Sequence, residues 1–164
     1  MHVYTDIISS DELFTDAYDI IDKGFVFEID CKMIVVKDAE ADIGANASAE
    51  ETEEALEDGA QQVMDVVYSN RLAPTSFDKK SYGAYIKGYM KAILAKLGEG
   101  EDADRFKKEA PVFVKQVLEN FKDYEFYTGE SMAFDGMVVL LNYREDGTTP
   151  YLTFFKDGLA KNKL

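Results

Sequence analysis

"SYGAYIKGYMKAILAKLG", Ser81 to Gly98, is the stretch on which the fold turns. Tyr82, Tyr85, Ile86, Tyr89, Met90, Ile93, Leu94 and Leu97 recur at steps of 3, 1, 3, 1, 3, 1 and 3. That spacing lays one continuous apolar stripe along an α-helix. Lys80, Lys87 and Lys91 fall outside the stripe. Thr75 or Ser76 can cap the start, and Gly98 stands where a C′ glycine belongs. Gly83 and Gly88 each cost about 1 kcal/mol against alanine, which the completeness of the stripe offsets. A second helix is predicted after a short Gly/Glu loop, with a stripe of Phe106, Ala110, Phe113, Val114, Val117, Leu118 and Phe121. Pro111 lies inside it, so either that helix starts near the proline or its first turn kinks there. Together the two make a long αα-hairpin over about residues 76–122.

The flanks have β character. Val3–Ile8, Phe25–Ile29 and Met33–Val36 read as strands, with Asp30-Cys31-Lys32 as a hairpin turn between the last two. Cys31 is then a small turn residue rather than a nucleophile. Val63–Tyr68, Tyr124–Tyr127, Met137–Tyr143 and Tyr151–Phe155 are strand-like, and Asp146-Gly147 marks a turn between the last two. Lys161–Leu164 reads as a polar tail. Asp38–Gln62 loses all periodicity and is predicted to be a mobile acidic loop. Strands, a helix pair and strands again predict an α+β fold of mostly antiparallel sheets with an inserted hairpin, as one domain spanning residues 1–164.

Composition fits such a domain: 164 residues, 46% hydrophobic and 13% aromatic. No apolar run reaches the ~18 residues of a membrane span, so no membrane insertion is expected. No basic-then-apolar leader opens the chain and there is one cysteine, so a cytoplasmic location is the default expectation. The net charge of −14 argues against nucleic acid as a partner. From Arg71 to Lys122, however, 11 Lys and Arg face 7 Asp and Glu, a net of +4, which leaves −18 on the remainder. This asymmetry suggests a distinct face for acidic partners, or simply lysines on the wet side of two helices.

Enzyme chemistry is thinly represented. His2 is the one histidine, which removes histidine triads and His-rich zinc sites. A single cysteine removes CxxC motifs, and no phosphate-binding glycine pattern occurs. Carboxylates number 32, so any chosen catalytic pair is uninformative. The acidic loop contains "IGANASAEETEE", Ile43 to Glu54. As a calcium loop begun at Asp38, it places Glu40 and Asp42 at positions 3 and 5, but Ile43 takes the glycine position and Ala49 the final glutamate. It is no EF-hand. Weak calcium binding by Asp38, Glu40 and Asp42 is the metal reading left, with a dissociation constant on the order of 10⁻⁴–10⁻³ M. Asn46-Ala47-Ser48 is a glycan sequon discounted by compartment, and Ser48 before Ala49-Glu50-Glu51 is a phosphorylation candidate. Ile43–Ser48 is expected to pack near the body and Glu50–Asp58 to be mobile.

Four segments resemble one family. "IGANASAEE" (Ile43–Glu51) and "FYTGESMAFDGMVVLLNYREDG" (Phe126–Gly147) resemble the two signatures of the translationally controlled tumour protein (TCTP) family, and "SSDELFTD" (Ser9–Asp16) and "TPYLTFFKDGL" (Thr149–Leu159) are similar to further family stretches. The resemblance covers essentially the full length. It implies a tent of coiled β-sheets (an Mss4-like β-tent, also similar to the methionine sulfoxide reductase B domain) with the hairpin projecting from it. Reductase chemistry does not carry over, for want of a suitably placed cysteine. The resemblance further implies a non-enzymatic, cytoplasmic and partly cytoskeletal protein, monomeric, with no cofactor beyond weak calcium. Tubulin and microtubules, translation elongation factors and small GTPases are the implied partners, and protein synthesis and cell growth the implied setting. Residue by residue, Glu12, with Asp11 beside it, matches the family's proposed GTPase contact. The hairpin matches the region linked to tubulin, which nominates Lys80, Lys87, Lys91, Lys107, Lys108 and Lys115.

Overall fold

The computed structural model describes residues 1–37 and 60–164. Its helical hairpin follows the apolar periodicity. Helix α2 of the chain, Lys79–Leu97, buries Tyr82, Ile86, Tyr89 and Ile93, and helix α3, Glu101–Glu119, buries Ala103, Phe106, Ala110 and Val117. The cap of α2 differs from expectation. Asp78 takes the N-cap, accepting from the Ser81 amide at 2.7 Å, while the Ser81 hydroxyl accepts from the Asp78 amide at 3.0 Å. Two orphan donors are thereby satisfied reciprocally, which neither Thr75 nor Ser76 could do from their positions. Pro111 sits eleven residues into α3, so the helix does not begin there. The carbonyl of Lys107 simply lacks its usual amide donor.

Six strands, β1 to β6, come first among the described residues: His2–Asp6, Glu12–Thr15, Ile21–Asp22, Val26–Asp30, Met33–Lys37 and Ala60–Met64. A short helix α1, Asp65–Ser69, and strand β7, Ala73–Thr75, complete the first half. After the hairpin come β8, Glu125–Thr128, β9, Val139–Tyr143, β10, Pro150–Phe155, and β11, Leu159–Lys163. Every pairing is antiparallel. The central sheet has the order β3-β4-β10-β9-β8-β7, a second has β11-β1-β2, and β5 and β6 form a ribbon.

The central sheet is covered on both faces. On one, Phe155 meets Tyr89 and Phe113 of the hairpin with ring centroids 5.5 and 5.4 Å apart, and Phe126 meets Tyr82 at 5.3 Å. On the other, Phe154 meets Phe14 at 4.4 Å and Phe27 meets Tyr4 at 6.0 Å. Successive residues of a strand point to opposite faces, so a strand between two layers is apolar throughout. This accounts for the buried run Leu152 to Phe155 in β10, apolar except for Thr153.

Three expectations are corrected. Asp30-Cys31-Lys32 does not close a hairpin: β4 pairs with β10 and β5 with β6. The bend passes the chain from one sheet to another, fixed by the Cys31 amide on the Pro150 carbonyl at 2.8 Å and by the Lys32 amide on the Asp65 carboxylate at 3.0 Å. Val63–Tyr68 is not one strand. It stops at Met64 because Asp65 also accepts from the Val66 amide at 2.8 Å and opens α1, where a negative charge suits a helix N-terminus. The polar end of the chain is not a loose tail, since β11 pairs with β1 from Asp6↔Leu159 to His2↔Lys163. Most of the expected acidic loop lies outside the described residues, but its last part, Ala60 to Gln62, is strand β6.

Candidate interaction site

The first nominated pair, Asp11 and Glu12, follows a tight bend after β1. Buried Asp6 organises that bend. Its carboxylate accepts from the Ile8 amide at 2.9 Å, the Ser9 hydroxyl at 2.8 Å and the distant Met137 amide at 2.7 Å. The Asp6 amide donates to the Asp11 carbonyl at 2.9 Å, closing the loop. The two nominated acids then differ. The Asp11 carboxylate is committed, accepting from the Ser131 hydroxyl at 2.6 Å and from its amide at 3.3 Å. Glu12 is exposed at the start of β2, an outer strand, and makes no ion pair among the described residues.

Asp11 and Glu12 line an open groove with Ser10, Ser69, Asn70, Arg71 and Glu130. Arg71 and Glu130 bridge it at 3.0 Å, both well exposed, so their pairing contributes little to stability. Three loops converge here, and each contains a non-glycine residue in the left-handed region: Ser10 at φ 68°, Arg71 at φ 54° and Met132 at φ 57°. Such backbone is uncommon outside glycine and is held in place by its surroundings. Arg71, Glu130 and Ser131 escaped the sequence reading. The acidic alignment of Ser9–Asp16 gave no sign of which later loops would meet it.

The six nominated lysines are all exposed on the hairpin. Lys80, Lys87 and Lys91 of α2 form no ion pair with a described residue, nor do Lys107 and Lys108, whereas Lys115 approaches Glu119 at 4.0 Å. The hairpin also carries acids. Arg105 reaches Asp102 at 3.3 Å and, across to the segment after β10, Asp157 at 3.6 Å. Burial pushes the Asp157 carboxyl above its ordinary range, and Arg105 opposes this. The lysines and the Glu12 groove belong to layers on opposite faces of the central sheet. They are joined at Gly136–Val138, where the Tyr85 hydroxyl of α2 donates to the Gly136 carbonyl at 2.6 Å and accepts from the Val138 amide at 2.9 Å.

Asp38, Glu40, Asp42 and Ser48 lie outside the described residues. Among the described residues, no group of three or more His, Cys, Asp or Glu is placed to hold a metal ion. Cys31 is buried, and burial, with Asp65 and Asp30 nearby, pushes its thiol up to about 12. That is the opposite of what a nucleophile needs. His2 pairs with Asp16 at 3.1 Å. No helix is long and apolar enough to cross a membrane among the described residues.

Comparison with known proteins matches this geometry to one family. The model of the family described as translationally controlled tumour protein matches residues 1–160. Curated relatives described as translationally-controlled tumor protein homologs include one from Candida albicans, 58% identical, and one from Schizosaccharomyces pombe, 59% identical, each aligned over the whole of both chains. Among solved structures, the S. pombe translationally controlled tumor-associated protein superposes with a TM-score of 0.83 at 58% identity, over the whole of both chains. The solution structure of the Caenorhabditis elegans protein gives 0.73 at 29% identity, over 100% of this chain and 99% of that one. Full-length agreement in sequence and in backbone leaves one assignment: the chain belongs to the translationally controlled tumour protein family.

Proposed function

We propose that the chain is a non-enzymatic interaction protein whose helical hairpin binds acidic surfaces, with the acidic tails of tubulin in microtubules as the foremost candidate. The observation that carries this is the row Lys80, Lys87 and Lys91. Residues seven and four apart on a helix, at 3.6 residues per turn, fall within about 40° of one another. All three are exposed and lack an ion-pair partner among the described residues. On α3, Lys108 and Lys115 share a face by the same spacing, with Lys107 on its flank. A row of like charges on a helix, as at Lys80, Lys87 and Lys91, attracts the opposite charge at long range and does so less as salt rises. Translation elongation factors are further acidic-partner candidates for the same surface, and a link to protein synthesis and growth would follow from them. Asp38, Glu40 and Asp42 are the candidates for weak calcium binding.

Cosedimentation with microtubules at 50 and 300 mM KCl tests the reading. Wild type should pellet at low salt and be released at high salt. Lys80→Glu/Lys87→Glu/Lys91→Glu should bind at least tenfold more weakly at low salt. Binding that ignores both salt and charge reversal refutes the proposal.

A second reading, regulation of a small GTPase, has its own observation: Glu12 is exposed beside the groove and makes no ion pair among the described residues, while its neighbour Asp11 is tied down. A surface carboxylate there would act by favouring the nucleotide-free GTPase, not by bond chemistry. Nucleotide release from a panel of small GTPases should be accelerated by wild type and not by Glu12→Ala; rates at the uncatalysed value for both remove this reading.

A further inference from the structure

The loop Gly129–Gly136, between β8 and β9, presents large apolar side chains to solvent. Phe134 is 92% exposed and Met132 56%. Scattered apolar residues on a surface need no explanation, but these two share a loop that is fastened along its length. Ser131 is held by Asp11 at 2.6 Å, the Met132 amide by the Gly129 carbonyl at 3.0 Å, the Gly136 carbonyl by Tyr85 at 2.6 Å, and the Met137 amide by Asp6 at 2.7 Å. The ordering that a binding loop must otherwise undergo has already occurred, which favours association.

The loop borders the Glu12 groove through Glu130. That groove, of about 440 Å³, adjoins an apolar one of about 600 Å³ lined by Val63, Val67, Tyr68 and Leu72, and the two share Ser69 and Arg71. Asp11, Glu12 and Glu130 line the groove against Arg71, the one cation among the described residues that line it, a balance of −2. An apolar tip, an acidic middle and an apolar far end make one composite surface. We infer that this face docks a partner polypeptide segment in which apolar anchors flank Lys or Arg. Its apolar residues pack against Phe134 and Met132 at one end and Val63, Val67 and Leu72 at the other, and its cations lie over Glu12 and Glu130. An anionic bilayer is disfavoured as the occupant, because the same carboxylates repel its headgroups. The inference uses the face of the GTPase reading but requires no GTPase, and its test does not measure nucleotide.

The probe is a fluorescein-labelled 16-residue peptide alternating Leu pairs with Arg pairs, mixed with the full chain at 150 mM salt. Its counterpart has Glu in place of Arg. Anisotropy should report binding of the Arg peptide only. Phe134→Ser and Met132→Ser, which leave the charge unchanged, should each weaken it at least fivefold. Val112→Ser, at a residue 59% exposed on α3, should change it less than twofold. Amide shifts should concentrate in 129–136 and 63–72. Equal affinity of wild type and Phe134→Ser overturns the proposal by showing attraction to net charge alone. So does absence of Arg-peptide binding, and so does Phe134-dependent binding to phosphatidylcholine vesicles in place of peptide.

Discussion

Three tyrosines of α2 pack against the sheet, Tyr82 and Tyr89 fully buried and Tyr85 partly, and the same substitution should act on them with opposite signs. Tyr85 bridges two buried backbone groups, donating to the Gly136 carbonyl at 2.6 Å and accepting from the Val138 amide at 2.9 Å. The hydroxyls of Tyr82 and Tyr89 are buried and have no hydrogen-bond partner among the described residues. Tyr85→Phe removes one oxygen and orphans both a carbonyl and an amide. Each orphaned buried group costs about 1–3 kcal/mol, so a loss of about 3 kcal/mol is expected. At about 2–4 °C per kcal/mol for a chain of this size, the melting temperature should fall by about 6–12 °C. Tyr82→Phe and Tyr89→Phe remove a buried polar group that is already unpaired. They should be neutral or stabilising, by up to about 2 kcal/mol. The chain has no tryptophan, so urea unfolding is best followed by far-UV circular dichroism, with the transition slope checked for constancy across variants. The reasoning fails if Tyr85→Phe lies within about 0.5 kcal/mol of wild type. It fails equally if Tyr82→Phe or Tyr89→Phe destabilises by more than about 1 kcal/mol, which would reveal a partner for that hydroxyl.

A Cβ at Gly158 would overlap the Tyr89 hydroxyl and crowd the Met137 side chain; Gly158→Ala should destabilise by about 1–3 kcal/mol, and by clearly less in the Tyr89→Phe background, as a double-mutant cycle in urea would read. Cys31 is buried with its thiol pushed up to about 12, so a disulfide reagent at pH 8 should leave the native thiol unmodified and label it fully in urea. Asp146 is held at about 2, first by the Thr149 hydroxyl and then by the Thr149 and Thr148 amides. A depressed carboxyl stabilises the fold above its unfolded value, here 3.8, and that stability is lost as pH falls toward 2. Asp146→Ala should therefore be less stable than wild type at pH 7, with the gap closing between pH 4 and 2 in parallel urea titrations. The phenols of Tyr82, Tyr85 and Tyr89 are raised above 10.0 chiefly by burial. Their contribution is complete below pH 10 and is lost as pH rises past it, so alkaline unfolding should precede their ionisation in an absorbance titration.

The hairpin could be read from the sequence because its period was set by the burial the structure shows. Tyr82, Ile86, Tyr89 and Ile93 are both the repeat and the core. The sheets could be read only in outline. A strand's partner is a long-range choice that local pattern does not encode, so Phe25–Ile29 and Met33–Val36, adjacent in sequence, fell into different sheets. Strands β3 and β7 have two and three residues, too few for any alternation. Strand β11 is polar because it forms the outer edge of its sheet, where side chains face water and hydrophobicity gives no signal. The site shows the same division. Exposed lysines on a periodic helix are visible in sequence, and Glu12 was reached through family resemblance. The groove around it is built from residues near 11, 70 and 130, and nothing local joins those three.

Why Phe126–Gly147 identifies the family so well can be stated in contacts. A side chain at Gly129 would overlap the Asp11 carboxylate, and one at Gly136 the Asp6 carboxylate. Both glycines are therefore dictated by acids more than a hundred positions away. Met137 to Leu141 is apolar without alternation, as a strand covered by the hairpin on one face and Phe14's sheet on the other must be. Arg144 reaches Asp30 at 2.8 Å and Glu28 at 2.6 Å while its guanidinium lies 3.8 Å from the Tyr151 ring, a set that lysine could not reproduce. Gly147 turns the chain at φ 75°. Gly129, Gly136, the Met137–Leu141 run and Arg144 each answer to a neighbour on β1, the bend after it, β2, β4, β10 or α2, so a chain carrying the string carries those neighbours, and with them the fold. Met132 and Phe134 answer to no such neighbour. They are the large apolar side chains of the Gly129–Gly136 loop that the internal frame leaves in solvent. They offer a partner apolar contact on this loop, and substituting those two residues can change binding without disturbing the glycines and acids that hold the loop in place.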